Sequence, residues 1–340
     1  MLSKSTKIII NYVFGIGLFI WLSYSIYHQL RYKDNIHLSV QQLKESIRAH
    51  QPAMMAVIVM MVVNWGLEAW KWQILVRPLQ RISFRRSFYA ILLGVSFSVN
   101  TPNRIGEYGG RILYLKNNAR LSGVMATMVG SFSQFITTLL FGIAGLLFYI
   151  WHFTPFTSSP VFTPYTWEMI LLFGVLAVTA TVMVLYYRLY LIVWLFDRIR
   201  WLRRFRKFVE VINQFSGRFL SKILLLSILR YMVFSAQYLI LLKVMGVDMV
   251  WWQGFLMIFL MYLIMAILPT IAIAELGIRG EIGLFLFGLI SVNKIGIIAG
   301  TIGIWLINLV IPAILGSLLL LGIKVLNEEK ITGILKKQRA

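Results

Sequence analysis

Long apolar segments alternate along the chain with short polar connections. Six segments are long enough to cross a hydrocarbon core of about 30 Å as helices, and none shows the alternation of a membrane-barrel strand. The pattern therefore predicts an all-α polytopic membrane protein. The predicted full spans are about 8–27, 54–72, 123–150, 167–187, 223–244 and 295–322.

Two shorter apolar runs, about 87–101 and 253–268, interrupt this series. Each ends at a proline, Pro102 or Pro269, and is followed by charges and glycines instead of an ordinary loop. Such runs are shorter than a typical membrane span, so whether they cross the membrane has to be inferred from the charges of the loops around them.

Composition and charge support the membrane class and orient the chain. Of the 340 residues 59% are hydrophobic and only 13% are charged, whereas about a quarter of a soluble domain is charged. The connection 188–222 carries nine Lys and Arg residues, and 151–166 carries none. Because positive loops stay in the cytoplasm, this asymmetry predicts an integral protein of the plasma (inner) membrane with both termini cytoplasmic.

The orientation constrains the two short runs. If 87–101 crossed completely, Lys116 and Arg120 would be external and every later loop would change sides. We therefore expect re-entrant hairpins at about 87–118 and 253–292, giving eight hydrophobic segments. Non-helical backbone at membrane depth is tolerated where it is buried in protein or lines a cavity, so each hairpin tip should face an internal polar space.

The two hairpin tips share a short sequence pattern. Glu107 to Arg111 and Glu275 to Arg279 both spell E-x-G-x-R after a proline. Each half of the chain contains an odd number of crossings, so the second half is expected to be inverted relative to the first. This predicts two inverted repeats, 1–150 and 151–340, an arrangement that recurs in transporters.

The charged residues of the tips are the first candidates for function, since ionisable groups inside a membrane are costly and usually functional. One interpretation is that each glutamate merely neutralises the arginine four residues later. The other is that a guanidinium stays free to bind a phosphate through its planar fork. If the return limb is helical, Arg104 should share a face with the other charges of the first tip. The candidate binding residues are Arg104, Glu107, Arg111, Glu275, Arg279, Glu68 and Arg230.

Prolines and glycines are expected to shape the tips. Glycine allows close backbone approach, although tight turning without any ligand would explain the same residues. The residues assigned this structural role are Pro102, Gly106, Gly109, Pro269, Gly277 and Gly280.

Several classes of site are disfavoured. The chain has no cysteine, and its four histidines show no metal-ligand spacing, so we expect neither a metal nor another cofactor. The net charge of +21 is concentrated partly in 188–222, where aromatic and basic residues interleave. That pattern is typical of a segment that binds anionic lipid headgroups, and no nucleic-acid-binding module accompanies it.

The stretches "NTPNRIGEYGGR" and "LPTIAIAELGIRGE" resemble the lysylphosphatidylglycerol synthase transmembrane family, a flippase-like membrane domain. The resemblance implies a domain that moves or presents a lipid, with Arg104, Glu107 and Arg279 among the matching positions. Asn103 and Glu275 stand where glycine is expected, so the family's substrate is not carried over. The chain ends soon after the last predicted span, so we expect no synthase domain here; a separate lipid-modifying enzyme would then be a partner.

The sequence leaves three functions open. The first is a translocator of an anionic, aminoacylated or polyprenyl-phosphate lipid. The second is a transferase, or its membrane subunit, that uses a polyprenyl-phosphate sugar, with Glu107 or Glu275 as base; an enzyme is the less favoured class. The third is a small-solute transporter, which predicts a closed central cavity, whereas a lipid carrier needs one open to the bilayer.

Overall fold

The protein is described by a computed structural model that covers residues 36–99, 101, 104–154, 164–191, 194, 198, 212, 214–268 and 272–319. Within this part of the chain 87% of the structure is helical and no strand occurs. The helices are α1 Ile36–Ala49, α2 Gln51–Val76, α3 Phe84–Val99, α4 Gly106–Ile112, α5 Arg120–Phe153, α6 Pro164–Tyr187, α7 Gly217–Val244, α8 Trp251–Ile267, α9 Ala272–Gly288 and α10 Lys294–Trp305. After α10, a π-helical turn Leu306–Val310 continues into helix that is described as far as Leu319.

Five helical segments are long and apolar enough to cross a membrane. They correspond to five of the six predicted full spans, and the sixth, 8–27, lies outside the described residues. The two predicted short runs are also helices, namely α3 and α8. The chain is therefore all-α over the described residues, as the apolar pattern predicts.

Helix α7 occupies the centre of the bundle. Several of its side chains, including Tyr238, Leu239 and Leu241, have no accessible surface, and it packs against α2, α5, α8 and α10. The Gln237 side chain donates a hydrogen bond to the Val57 carbonyl of α2 at 2.8 Å, which ties the two long helices together. Burying this amide without a partner would be costly, so the bond fixes the register of α2 on α7.

Helices α3 and α4 form the first helical hairpin. A Cβ atom added to Gly110 would lie 2.6 Å from the Gly94 Cα, so the two backbones touch where both residues are glycine. The Lys116 amide after α4 donates to the Gln80 side chain before α3 at 3.0 Å. The chain thus returns to the end of the bundle from which it started.

Helices α8 and α9 form the second helical hairpin. After α9, the Asn293 side chain donates to the carbonyl groups of Met245 and Gly246 at 3.3 and 2.9 Å. Those carbonyl groups precede α8, so this hairpin also begins and ends at one end of the bundle. Asn293 is also the N-cap residue of α10, and its side-chain oxygen accepts a hydrogen bond from the Gly296 amide at 3.0 Å.

Candidate functional site

The tips of the two hairpins meet at an ion pair. Arg104 Nη2 lies 2.9 and 3.1 Å from the two carboxylate oxygens of Glu275, which is the first residue of the E-x-G-x-R pattern in the second hairpin. Arg279 Nε lies 2.9 Å from Glu275 Oε1, and Arg279 Nη1 donates to the Tyr262 hydroxyl at 3.1 Å. We call Arg104, Tyr262, Glu275 and Arg279 the Glu275 cluster.

Arg104 does not lie on the face of α4 that the sequence predicts, and the expectation of one shared face is wrong. Helix α4 begins only at Gly106, and Arg104 adopts a φ of 56° before it, alone among the described residues other than glycine. A bulky residue is rare in this left-handed region and costs on the order of 1–3 kcal/mol. The turn directs Arg104 toward the second hairpin instead of toward Glu107.

A second group of charges surrounds Glu68 on α2. Its oxygens lie 2.8 Å from Lys71 Nζ, 2.9 Å from Arg111 Nη1 and 3.2 Å from Arg230 Nη1. Arg111 also pairs with Glu107, one turn earlier on α4. Arg230 donates to Gln134 on α5 at 3.1 Å. We call Glu68, Lys71, Glu107, Arg111 and Arg230 the Glu68 cluster, and it joins α2, α4 and α7.

Sequence reasoning missed Lys71 as a site residue. This lysine is buried, with 1% of its surface exposed, and its Nζ contacts Ser227 Oγ at 3.3 Å and the Gly130 carbonyl at 3.4 Å. The signal was present, because Lys71 lies three residues after Glu68 and so shares its helix face. Tyr262 was missed as well, and an aromatic residue within an apolar run carries no comparable signal.

The two clusters together carry an excess of positive charge. The Glu275 cluster contains two arginines and one carboxylate, and the Glu68 cluster contains three cations and two carboxylates. Both predicted pairs, Glu107–Arg111 and Glu275–Arg279, are present. They do not neutralise the site, because Lys71 and Arg230 share Glu68 with Arg111, and Arg104 shares Glu275 with Arg279. A buried site of this charge favours an anion.

A cavity of about 230 Å³ lies between the clusters. It is lined by three guanidinium side chains, by amide and hydroxyl side chains, and by aromatic rings. Both hairpins contribute to it, together with α2, α5, α7, α10 and the π-helical turn. A pocket with aromatic walls and a few convergent polar groups is the usual form of a ligand site. The lining residues are Asn64, Trp65, Arg104, Gln134, Thr138, Arg230, Tyr231, Phe234, Tyr262, Arg279, Ile304, Trp305, Asn308 and Leu309.

Several lining residues hold polar atoms that have no hydrogen-bond partner among the described residues. These atoms are Asn64 Oδ1, Trp65 Nε1, Arg230 Nε, Tyr231 Oη and Trp305 Nε1, and each is shielded from solvent. Leaving a buried donor or acceptor unsatisfied costs about 1–3 kcal/mol, so such groups call for an explanation. A bound ligand, or a second conformation of the lining, would supply the missing partners.

The predicted structural glycines of the first tip differ in their surroundings. At Gly106 a Cβ atom would lie 2.6 Å from the Phe97 carbonyl carbon, whereas at Gly109 it would meet nothing within 4 Å. Close approach therefore explains Gly106 and not Gly109. Gly277 and Gly280 of the second hairpin are buried, and Pro102 and Pro269 lie outside the described residues.

The fold and site define an α-helical membrane protein with a polar, positively charged cavity between two helical hairpins. A comparison with protein families matches residues 8–316 to the family described as "Lysylphosphatidylglycerol synthase TM region". The chain belongs to this family, as the two hairpin motifs indicate, and it is an integral membrane protein with a lipid-related role. The comparison with curated proteins finds no match.

Proposed function

We propose that the protein moves a phospholipid or polyprenyl-phosphate lipid between leaflets, with the lipid phosphate bound in the cavity. One observation carries this proposal: the cavity between the hairpins is lined by Arg104, Arg230 and Arg279, in a region where cations outnumber carboxylates. A guanidinium matches the oxygen geometry of a phosphate better than any other side chain does.

Arg104 is the residue best prepared to exchange partners. Its side chain is 43% exposed, and within the described part of the chain only Nη2 has a partner, Glu275. The remaining nitrogens can therefore donate to a phosphate while Nη2 keeps its contact. A phosphate that instead replaces Glu275 would release the first hairpin tip from the second, which would couple binding to movement of the hairpins.

The charge balance also favours one kind of headgroup. The described carboxylates of the site, Glu68, Glu107 and Glu275, each contact at least one cation, so none is left as a dedicated partner for an ammonium group. An aminoacylated headgroup would bring a further positive charge to a region that already has an excess of positive charge. We therefore propose an anionic lipid without a cationic headgroup.

The packing of the halves supports an inverted repeat. The first limb of each hairpin packs against the last long helix of the other half: α8 contacts α5, where a Cβ atom at Gly145 would lie 2.5 Å from the Leu256 carbonyl oxygen. In the same way α3 contacts the helix after α10, where Ser96 Oγ and Ser317 Oγ are 2.6 Å apart. We propose that both hairpins are re-entrant and that the halves alternate access in the inner membrane, with both termini cytoplasmic.

The enzymatic alternative has less support from the geometry. A general base needs a carboxylate that can accept a proton from substrate. Glu275 instead contacts two arginines, and Glu107 contacts Arg111. These contacts suit the orientation of arginines better than proton transfer.

A leaflet-resolved assay tests the proposal. The purified protein is placed in vesicles that contain fluorescent phosphatidylglycerol, phosphatidylcholine or lysyl-phosphatidylglycerol, and a membrane-impermeant quencher reports the outer leaflet. We expect phosphatidylglycerol to cross faster than the other two. Rates equal to those of protein-free vesicles for all three lipids would refute translocation of these lipids, and a preference for the lysyl form would refute the proposed headgroup charge.

A further inference from the structure

A groove runs along the outer face of α2, away from the cavity between the hairpins. Its apolar part has a volume of about 410 Å³ and is formed by Val63, Gly66, Leu67 and Trp70 with Phe84 of α3. On α2 these positions follow the spacing of one helix face. Val63, Trp70 and Phe84 are each more than 40% exposed, so a large part of this surface is not covered by any described residue.

A basic pocket of about 310 Å³ adjoins the groove at the C-terminal end of α2. It shares Trp70 and Gln73 with the apolar part and adds three cations: Arg77, Arg81 and Lys222. Arg77 and Arg81 follow α2, whereas Lys222 lies near the start of α7, and their side chains have no hydrogen bond or ion pair to a described residue. Three cations without an ion pair to a described residue, beside an apolar channel, are complementary to an anion that carries a hydrocarbon chain.

We propose that the groove binds one anionic phospholipid, with its phosphate on Arg77, Arg81 and Lys222 and an acyl chain along Val63 to Trp70. Trp70 lies at the junction of the two parts, and tryptophan is enriched where headgroups meet hydrocarbon. The stretch from Val63 to Ile74 rises by roughly 16 Å at 1.5 Å per residue. This length matches one leaflet, which is about half of a 30 Å hydrocarbon core.

The site is independent of the proposed translocation. None of its residues lines the cavity between the hairpins. Arg77 and Arg81 follow α2, and Lys222 lies near the start of α7, at the end of the basic connection 188–222. The positive charge of both regions predicts the cytoplasmic side, and the structure brings them to the same pocket. A lipid held there would belong to the cytoplasmic leaflet and would bridge α2, α3 and α7.

Native mass spectrometry of the full-length protein in mild detergent tests the site. The probes are phosphatidylglycerol and phosphatidylcholine with identical acyl chains, and inorganic phosphate as a competitor. The lining variant combines Arg77→Gln, Arg81→Gln and Lys222→Gln. Its matched control removes three exposed cations from the same end of the bundle that do not line the pocket: Arg85→Gln, Arg86→Gln and Arg218→Gln.

We expect the lining variant to retain phosphatidylglycerol at least about tenfold more weakly than the parent, and the control variant to keep it. Gly66→Leu should block the chain channel and lower retention as well, because a Cβ atom at Gly66 meets only Phe84, at 4.0 Å. Its control is Gly174→Leu, at a glycine with nothing within 4 Å. Thermal melting of each variant checks that it folds.

Three results would overturn the site. Equal losses in the lining and control variants would indicate general surface charge. Equal retention of phosphatidylcholine would indicate an apolar surface without headgroup recognition. Displacement of phosphatidylglycerol by inorganic phosphate alone would indicate an anion site without a lipid. If Gly66→Leu fails to fold, the lining variant and the competitor still decide among these outcomes.

Discussion

At the scale of single residues, Glu68 is the carboxylate on which the buried cations depend. It contacts Lys71, Arg111 and Arg230 within 3.2 Å, and Lys71 is 1% exposed. Removing one partner of a buried ion pair leaves the other charge uncompensated, which costs about 3–5 kcal/mol. The cluster is therefore a structural requirement as well as a source of positive charge for the cavity.

Glu68→Gln should accordingly lower thermal stability, by about 3–5 kcal/mol of unfolding free energy. Adding Lys71→Met should recover part of the loss, because it removes one of the stranded cations. Glu45→Gln is the matched control, since Glu45 is exposed on α1 and, within the described part of the chain, accepts a hydrogen bond only from Gln41 of the same helix. If Glu68→Gln melts at the parental temperature, the cluster is not stabilising α2 against α4 and α7.

The cavity arginines should not tolerate lysine. Arg104→Lys and Arg279→Lys keep the positive charge but lose the two-pronged hydrogen bonding of the guanidinium group. One charge-assisted hydrogen bond contributes about 1.5–3 kcal/mol, so each substitution should slow lipid translocation at least about tenfold. Arg85→Lys, on the exposed surface of α3, is the control. Parental rates in both cavity variants would show that the arginines only hold the hairpin tips together.

At the scale of elements, the first hairpin depends on contact between two glycine backbones. A Cβ atom at Gly110 would lie 2.6 to 2.7 Å from Gly94 and from the Leu93 carbonyl oxygen. Gly110→Ala must therefore separate α3 from α4, at a cost of roughly 1–3 kcal/mol, and shift the cluster residues Glu107 and Arg111. Gly109→Ala is the neighbouring control, with nothing within 4 Å.

We expect Gly110→Ala to lower both the melting temperature and the translocation rate, while Gly109→Ala leaves both near parental values. The comparison is sharp because the two positions are adjacent and undergo the same chemical change. Equal melting temperatures for the two variants would mean that the hairpin is not closed by this contact.

The elements were largely predictable from the sequence, and their partners were not. An apolar run of about 20 residues predicts a membrane-spanning helix, and the predicted spans 54–72 and 223–244 correspond to α2 and α7. The pair Glu275–Arg279 follows from a spacing of four residues on one helix. The pair Arg104–Glu275 joins residues 171 positions apart in sequence and depends on the left-handed backbone conformation of Arg104. Glycine is the usual residue in that conformation, so an arginine at this position gave no reason to predict it.

At the scale of the whole molecule, alternating access between inverted halves requires that each hairpin return to the side of the membrane from which it entered. The hydrogen bond between Lys116 and Gln80 holds the ends of the first hairpin together, and the bonds of Asn293 do so for the second. The chain has no cysteine, so single cysteines can report the side of each loop without interference.

Cysteines at Gln214 and Asn117 should label only from the cytoplasmic side with an impermeant maleimide, and a cysteine at Trp151 only from outside. All three residues are exposed in the structure, and Trp151 is 86% exposed. Labelling of Asn117→Cys from outside would mean that α3 and α4 together cross the membrane, which is incompatible with an inverted repeat.

Photo-cross-linking can show directly whether a lipid headgroup enters the cavity between the hairpins. Phe234 lines the cavity and packs against Tyr262, with ring centroids 5.2 Å apart, so a photo-cross-linking phenylalanine derivative placed there probes its contents. The same derivative at Phe285, which is 57% exposed, samples the surface of the bundle. Adducts are measured in vesicles containing radiolabelled phosphatidylglycerol or phosphatidylcholine.

If the phosphate binds in the cavity, position 234 should form adducts with phosphatidylglycerol in preference to phosphatidylcholine, and Arg104→Lys and Arg279→Lys should reduce them. At position 285 the two lipids should give equal adducts that do not respond to these substitutions. If the protein cross-links to lipid at position 285 but not at position 234, no lipid enters the cavity, which contradicts the proposal. Adducts at position 234 that are equal for the two lipids and unchanged by the arginine substitutions would contradict it as well.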